Sequence, residues 1–344
     1  MHVLITFKNP KYDLPLCCHQ GLGITATNTA MALREMRIDA DALAIPNGET
    51  LWQWLAGIWS HYTHVVLSAP FIDAPYLRRL FSAFPKKKFA LIYHSNLGFL
   101  SQDRFAIKSL GPYFELEALG NFTLASNSAE LAGALGVARG KPMGYLPNLF
   151  HLPARIRRTR TPWQPGMVLN VGLFGAARIL KNWLTAGVAA MVMSRRLDTD
   201  IRLHVSALRD EGAAHMRDNL QDVLALNPRV RAITVPWLDG DDFRRYLYGM
   251  DLCMQPSFSE TFNNVTAEAC VAGVPSVVSD AVSWAPHSWQ AKADSAVSTA
   301  DTGIGLLRDP HAAEDGWWAL ERHNVAAMKY WLDWLNSTAG SSSR

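Results

Sequence analysis

Glu260 and Glu268 stand eight positions apart in SFSETFNNVTAEACVAGVPSVVSD, residues 257–280. A strand ending near Ser257 and a helix from about Asn264 to just before Gly273 put Glu260 in a loop and Glu268 one turn inside the helix. Gly273 suits a left-handed C′ position. Val265, Ala269 and Ala272 share a face that packs on a sheet. The N–H groups at the helix start, near Asn263 and Asn264, offer a place for an anion. A phosphate there leaves both carboxylates to accept hydrogen bonds from hydroxyls. The pattern therefore suits phosphates flanked by polyhydroxyl groups, as in a nucleotide sugar. Two solvated acids stabilising a helix N-terminus would show the same spacing.

The elements that must position these residues follow from hydrophobic patterning. HVLITF (2–7), HVVLSAP (64–70), FALIYHS (89–95) and FTLASN (122–127) read as buried strands. GLGITATN (21–28) reads as a glycine-rich turn, carrying Gly21 and Gly23, that feeds a helix after the first strand. The stretch 151–166, HLPARIRRTRTPWQPG, has three prolines, four arginines and no acid, and serves as a linker. The alternation then restarts. MVLNVGLFG (167–175), IRLHVSA (201–207), AITVPWL (232–238), DLCMQPS (251–257) and SVVSD (276–280) are strands, with helices over 182–197, 211–226 and 241–250. A last helical pattern spans 311–336, and the tail 337–344 is expected to be disordered. The expected architecture is α/β: two Rossmann-like, doubly wound, parallel-sheet domains, 1–150 and 167–310, facing a central cleft. Ligands of such sheets sit at the carboxyl ends of the strands.

Bulk properties set the limits. The 344 residues suit two domains rather than one core. With 49% hydrophobic and 18% charged residues the chain is globular, and a net charge of +3 neither requires nor excludes a polyanionic partner. No apolar run approaches the ~20 residues of a spanning helix, and no secretory leader is evident, so a cytoplasmic protein without an integral membrane segment is expected. Cys17, Cys18, Cys253 and Cys270 lack metal-ligand spacing and are expected to be reduced. Most of the 12 tryptophans are expected in the core.

The stretch DLCMQPSFSETFNNVTAEACVAGVPSVVSD resembles the signature of retaining GT-B glycosyltransferases, with its E-x7-E pair, a following A-x-G-x-P and a final strand. The resemblance implies that Glu260 contacts the hydroxyls of the donor sugar and Glu268 those of the ribose. Thr261, Phe262, Asn263 and Asn264 would form the loop that binds the diphosphate. Asn263 stands where the family commonly has glycine, and Asn tolerates unusual backbone angles. VGLFGAARILKN (171–182) resembles the strand-end turn that supplies an Arg and a Lys to the diphosphate, here Arg178 and Lys181. The usual arginine lies closer to the strand-end glycine, whereas here Leu173 follows Gly172. Gly21 and Gly23 would let backbone approach the donor, and His94 resembles the family histidine that reaches the donor sugar. YLPNLF (145–150) resembles the segment closing the first domain, with Leu149 in place of glycine. Trp237 is available to stack on a nucleobase or to pack in the core.

The mechanism so implied moves a sugar from a nucleoside diphosphate sugar, UDP being the commonest in the family, to an acceptor hydroxyl with retention. It needs no metal or resident cofactor. Fixed cations would stabilise the departing diphosphate. Asp241 and Asp242 read as a helix start rather than as metal ligands. The last helix would brace the first domain, as in the family.

Lys86, Lys87 and Lys88, and Arg155, Arg157, Arg158 and Arg160, form basic clusters that serve either as solvated faces or as nucleic-acid contacts. HSNLGFLSQD (94–103), LFGAARILKNW, SFSETFNNVTAE and VPSVVSDAVSW are similar to glycosyltransferases encoded by tailed phages. That resemblance implies double-stranded DNA with 5-hydroxymethylated pyrimidines as acceptor, in the host cytoplasm, the base being reached in the major groove or flipped out. A surface polysaccharide, a lipid-linked sugar or a protein are competing acceptors. A nucleotide-sugar epimerase and a non-catalytic sugar-nucleotide-binding protein share the donor features.

Overall fold

The computed structural model describes residues 1–8, 21–152, 163–206, 214–238 and 240–337. Arg155, Arg157, Arg158, Arg160, Cys17, Cys18 and all of the tail but Ser337 lie outside them. The chain divides into two compact units, Met1–His151 with Asn324–Arg344, and Leu152–His323.

In the first unit the strands are β1 (His2–Lys8), β2 (Asp39–Ile45), β3 (His64–Leu67), β4 (Lys88–Tyr93), β5 (Phe122–Ser126) and β6 (Gly144–Tyr145). They form one parallel sheet in the order β2-β1-β3-β4-β5-β6. The helices between them are α1 (Gly21–Glu35), α2 (Gly48–Ala56), α3 (Ala74–Ala83), α4 (Leu97–Leu100), α5 (Arg104–Leu116) and α6 (Ala129–Arg139). Both faces of the sheet are covered, as a parallel sheet requires. In β1, Leu4 points into a cluster with Leu51, Leu77, Phe81 and Tyr113, while Val3, Ile5 and Phe7 point into one with Ala26, Ala30 and Leu33 of α1.

In the second unit β7 (Leu169–Leu173), β8 (Ile201–Ser206), β9 (Val230–Val235), β10 (Leu252–Gln255) and β11 (Ser276–Val278) form a parallel sheet in the order β11-β10-β7-β8-β9. Its helices are α7 (Trp183–Leu197), α8 (Ala214–Leu224), α9 (Gly240–Leu247), α10 (Asn264–Val271) and α11 (Ala296–Arg308). Successive strands run outward from β7 on one side and then restart on its other side with β10. The switch point therefore lies between β7 and β10, where such sheets bind ligands.

The last helix, α12 (Ala312–Asn336), starts in the second unit, and its residues from Asn324 belong to the first. Ala327, Trp331, Trp334 and Leu335 join the α1 side of the β1–β6 sheet, and the Trp331 indole donates to the Pro147 carbonyl at 2.8 Å. Leu149, where glycine was the family expectation, is buried in the same cluster.

The expected strands are all present with boundaries shifted by a few residues. β2, β6, α11 and the helices α2 to α6 were not individually anticipated. β2 reads DADALAI, with acids on one face of an edge strand, and β6 has two residues. α11 is rich in Ser, Thr and Gly. One expectation is corrected: Gly21 and Gly23 are not in a turn before α1 but inside its first turn, with Gly23 buried. Glycine is a weak helix former, so its presence suggested a loop.

Candidate functional site

The residues that end β7 and β10 are tied together by backbone and amide hydrogen bonds. The Gln255 side chain donates to the Phe174 carbonyl at 3.0 Å, and the Phe258 amide donates to the Leu180 carbonyl at 2.8 Å. Asn182, in the left-handed region at φ 57°, turns its buried amide onto the carbonyls of Pro256 (2.9 Å) and Ala293 (2.5 Å). The 178–182 turn is thereby fixed against the loop that follows β10.

That registration brings Lys181 onto Glu260. The ammonium donates to Oε1 of Glu260, with the two side chains 15% and 12% exposed. The same oxygen accepts from the Ser257 hydroxyl (2.9 Å) and the Asn263 amide (3.3 Å). Arg178 precedes Lys181 on the same turn and is half-buried.

Asn263 is at φ 68° and caps α10, its Oδ1 accepting from the Thr266 amide at 3.1 Å. Its Nδ2 also reaches Oε1 of Gln255 at 3.3 Å. The backbone here is left-handed, an angle Asn tolerates, and the cap supplies a further reason for Asn. α10 then runs to Val271, and Gly273 takes φ 71° as expected. Phe262 is buried and stacks on Trp284 at 5.5 Å, while the Trp284 indole donates to the Phe262 carbonyl. Thr261 and Asn264 complete the loop, both half-buried.

Glu268 is 5% exposed, and its Oε2 accepts from Nε of Arg244 at 3.0 Å and lies 3.0 Å from a second guanidinium nitrogen. Burial raises its pKa above the ordinary carboxylate value; Arg244 opposes this and Asp241 adds to it. Arg244, unnoticed in the sequence, sits on α9 in DDFRR, three residues after Asp241. Asp242 pairs with Arg245 in the same way, so both aspartates sit at the helix start as read from the sequence. Trp237 is half-buried just past β9, the edge strand, two strands from β7. Cys253 and Cys270 are buried.

In the first unit His94 follows β4. Its ring is hydrogen-bonded to Asn148, which accepts from the Asn127 amide at 3.1 Å. Nε2 of His94 is buried and has no hydrogen-bond partner among the described residues. Burial pushes the His94 pKa down to about 4, with Asn148 opposing, so the ring is neutral at ordinary pH. α1 begins at Gly21 and is joined to the 146–151 segment, Asn28 accepting from the His151 amide at 3.2 Å.

The expectation of a free lysine cluster is corrected in part. Lys88 is 9% exposed and its ammonium caps the end of α12, on the carbonyls of Trp334 and Ser337. Lys87 donates to the carbonyls of Ser60 (2.7 Å) and Tyr62 (2.6 Å). Lys86 alone of the three is exposed. Neither a solvated face nor a nucleic-acid contact fits Lys88, because β4 begins there and its stem is drawn inward.

Among the described residues no group of three or more His, Cys, Asp or Glu side chains is placed to hold a metal ion. No helix among them is long and apolar enough to cross a membrane.

Residues 129–283, less than half of the chain, match the profile "Family 4 Glycosyltransferase in conflict systems". No curated protein matches the chain. Among solved structures, sucrose-phosphate synthase from Thermosynechococcus elongatus is similar at TM-score 0.61 and 14% identity, over 96% of this chain and 98% of that one. Anabaena HepE in complex with UDP-glucose is similar at TM-score 0.55 and 14% identity, over 96% and 99%. A variant of S. aureus TarM, in complex with fondaparinux, alpha-GlcNAc-glycerol and UDP, is similar at TM-score 0.56 and 11% identity, over 80% of this chain. The match spans 55% of TarM's length. At such identities the likeness establishes the fold. The fold is thus of the GT-B type, two parallel-sheet α/β domains, and residues 129–283 are similar to family 4 glycosyltransferases.

Proposed function

We propose that this chain transfers a sugar from a nucleoside diphosphate sugar to an acceptor hydroxyl with retention of configuration. The observation that carries the reading is the Lys181–Glu260 pair beside the capped start of α10, at the switch point between β7 and β10. A diphosphate needs cations and amides; a sugar needs fixed carboxylate acceptors. Both lie in these two loops. In this reading Arg178, Lys181 and the 261–264 loop hold the diphosphate, Glu260 and His94 the sugar, Glu268 the ribose, and Gly21, Gly23 and Trp237 further parts of the donor. The UDP and UDP-glucose bound by TarM and HepE support a uridine donor.

For the acceptor, the reading is a 5-hydroxymethylpyrimidine in DNA. It rests on the resemblance to tailed-phage enzymes and on the conflict-system profile. Lys86 and the 155–160 arginines are then the candidate backbone contacts, without Lys87 and Lys88. A second reading, a lipid-linked or surface glycan acceptor, is favoured by the exposed Leu97, Phe105 and Ile107 that follow His94.

The test incubates the protein with a panel of nucleotide sugars and DNA carrying 5-hydroxymethylcytosine or 5-hydroxymethyluracil, then weighs the digested nucleosides. A hexose-sized increase on one base establishes reaction, donor and acceptor together. Donor hydrolysis without that increase keeps the transferase and removes DNA. Neither signal across the panel removes the transferase reading.

A further inference from the structure

We propose that Arg244 is a positioning residue for nucleotide recognition, holding the buried Glu268 carboxylate ionised so that it can accept hydrogen bonds from ribose hydroxyls. This rests on the reading of Glu268 as the ribose-binding group.

The geometry is specific. Glu268 lies on α10 and Arg244 on α9, and the two contacts at 3.0 Å both fall on Oε2. A carboxylate buried to this degree without a partner takes up a proton, and a protonated carboxyl is a poorer acceptor for a hydroxyl. The groups facing Glu268 are few. α9 brings Arg244 and Asp241; its other charges, Asp242 and Arg245, pair with each other, and its Tyr246 hydroxyl is hydrogen-bonded to His204 at 2.7 Å. β10 brings the buried Cys253 thiol as its single titratable group, and β11 brings none. Asp241 lies 3.7 Å from Arg244, keeping the guanidinium on that side of α9. Among the described residues Arg244 is therefore the one cation that offsets the burial of Glu268. A lysine would supply the charge but not the two-pronged contact.

The arrangement predicts a signature that mere support of the fold would not give. Arg244 should matter only for ligands with ribose hydroxyls, and more at lower pH. Calorimetric titration of the full chain with UDP and with 2′,3′-dideoxy-UDP, from pH 6 to 8.5, reads this. Arg244→Gln should bind UDP about tenfold or more weakly than the wild type at pH 6, the deficit shrinking as pH rises. It should bind the dideoxy analogue within about twofold of the wild type, and Arg244→Lys should fall between. Glu268→Gln carries no charge to be offset, so Arg244→Gln added to it should cost nothing further. That pair serves as the test if the single Arg244 variant does not fold. Equal UDP affinity in wild type and Arg244→Gln overturns the proposal. So does an equal deficit for the dideoxy analogue, or a further loss in the Glu268→Gln background. A wild type that binds none of UDP, ADP and GDP overturns the donor reading and this proposal with it. That failure is distinct from a wild type that binds and an Arg244 variant that binds equally.

Discussion

The Lys181 ammonium donates to Oε1 of Glu260 although the two residues are 79 positions apart. They meet because the turn after β7 and the loop after β10 are hydrogen-bonded to each other through Phe258, Leu180 and Asn182. Each charge has the other as its partner. A donor that brings phosphate to the lysine and hydroxyls to the carboxylate exchanges one set of contacts for another.

That exchange separates the two residues in an assay. Glu260→Ala should lower transfer or donor hydrolysis by about a hundredfold or more, because a contact to the reacting sugar is lost. Its affinity for UDP should stay within a few-fold of the wild type, since UDP carries no sugar. Lys181→Ala should weaken UDP itself. Titration of UDP into both variants, beside turnover, checks the split; equal turnover in Glu260→Ala and wild type removes its assignment.

Asn263 combines a left-handed backbone with a cap on α10. Asn263→Gly relieves the backbone and loses the cap, and should cost only a few tenths of a kcal/mol. Asn263→Val adds a β-branched side chain at φ 68° and should cost roughly 1–3 kcal/mol. Urea denaturation of the two variants orders them, and a valine variant as stable as the glycine one contradicts the account.

Much of this was legible in the sequence for a physical reason. Parallel strands buried on both faces leave continuous apolar runs, so β1, β4, β7 and β10 stand out, and the Asn264–Gly273 helix is bracketed by its own cap and stop. What was hidden depends on side-chain partners remote in sequence. No periodicity announces that Arg244 reaches Glu268, that Asn182 bridges two loops, or that Asn148 bonds His94. Lys88 misled because a run of three lysines looks alike whether the last one is solvated or drawn inward to cap a helix. β2 escaped because its acids interrupt the alternation at a sheet edge.

Lys88 supplies a stability prediction. Its buried ammonium holds the last carbonyls of α12, and burial lowers its pKa. Lys88→Met keeps the stem and removes the donor, leaving carbonyls unsatisfied, and should destabilise the chain by about 1–3 kcal/mol. Lys86→Met should leave stability unchanged, its side chain being exposed. Gel retardation with modified DNA gives the reverse order: weaker binding for Lys86→Met, unchanged binding for folded Lys88→Met. Destabilisation by both or by neither contradicts this division of roles.

The last prediction concerns pH. An imidazole in the unfolded chain titrates near 6.5. Burial pushes His94 down to about 4, and burial likewise pushes His64 down to about 4, opposed by its bond to the Leu335 carbonyl and helped by nearby Lys88. Between pH 4 and 6.5 the unfolded chain therefore binds more protons than the folded one, and acid favours unfolding. Stability should fall as pH drops from 6.5 toward 4, by at most ~3 kcal/mol for His94 and by less for the partly exposed His64, whose charge solvent screens. Above 6.5 these two groups contribute no slope. His94→Gln removes one titrating group, so its urea midpoint should change less across that window than the wild-type midpoint. An unchanged slope, or a His94 ring that titrates near 6.5 by NMR, contradicts the buried neutral imidazole.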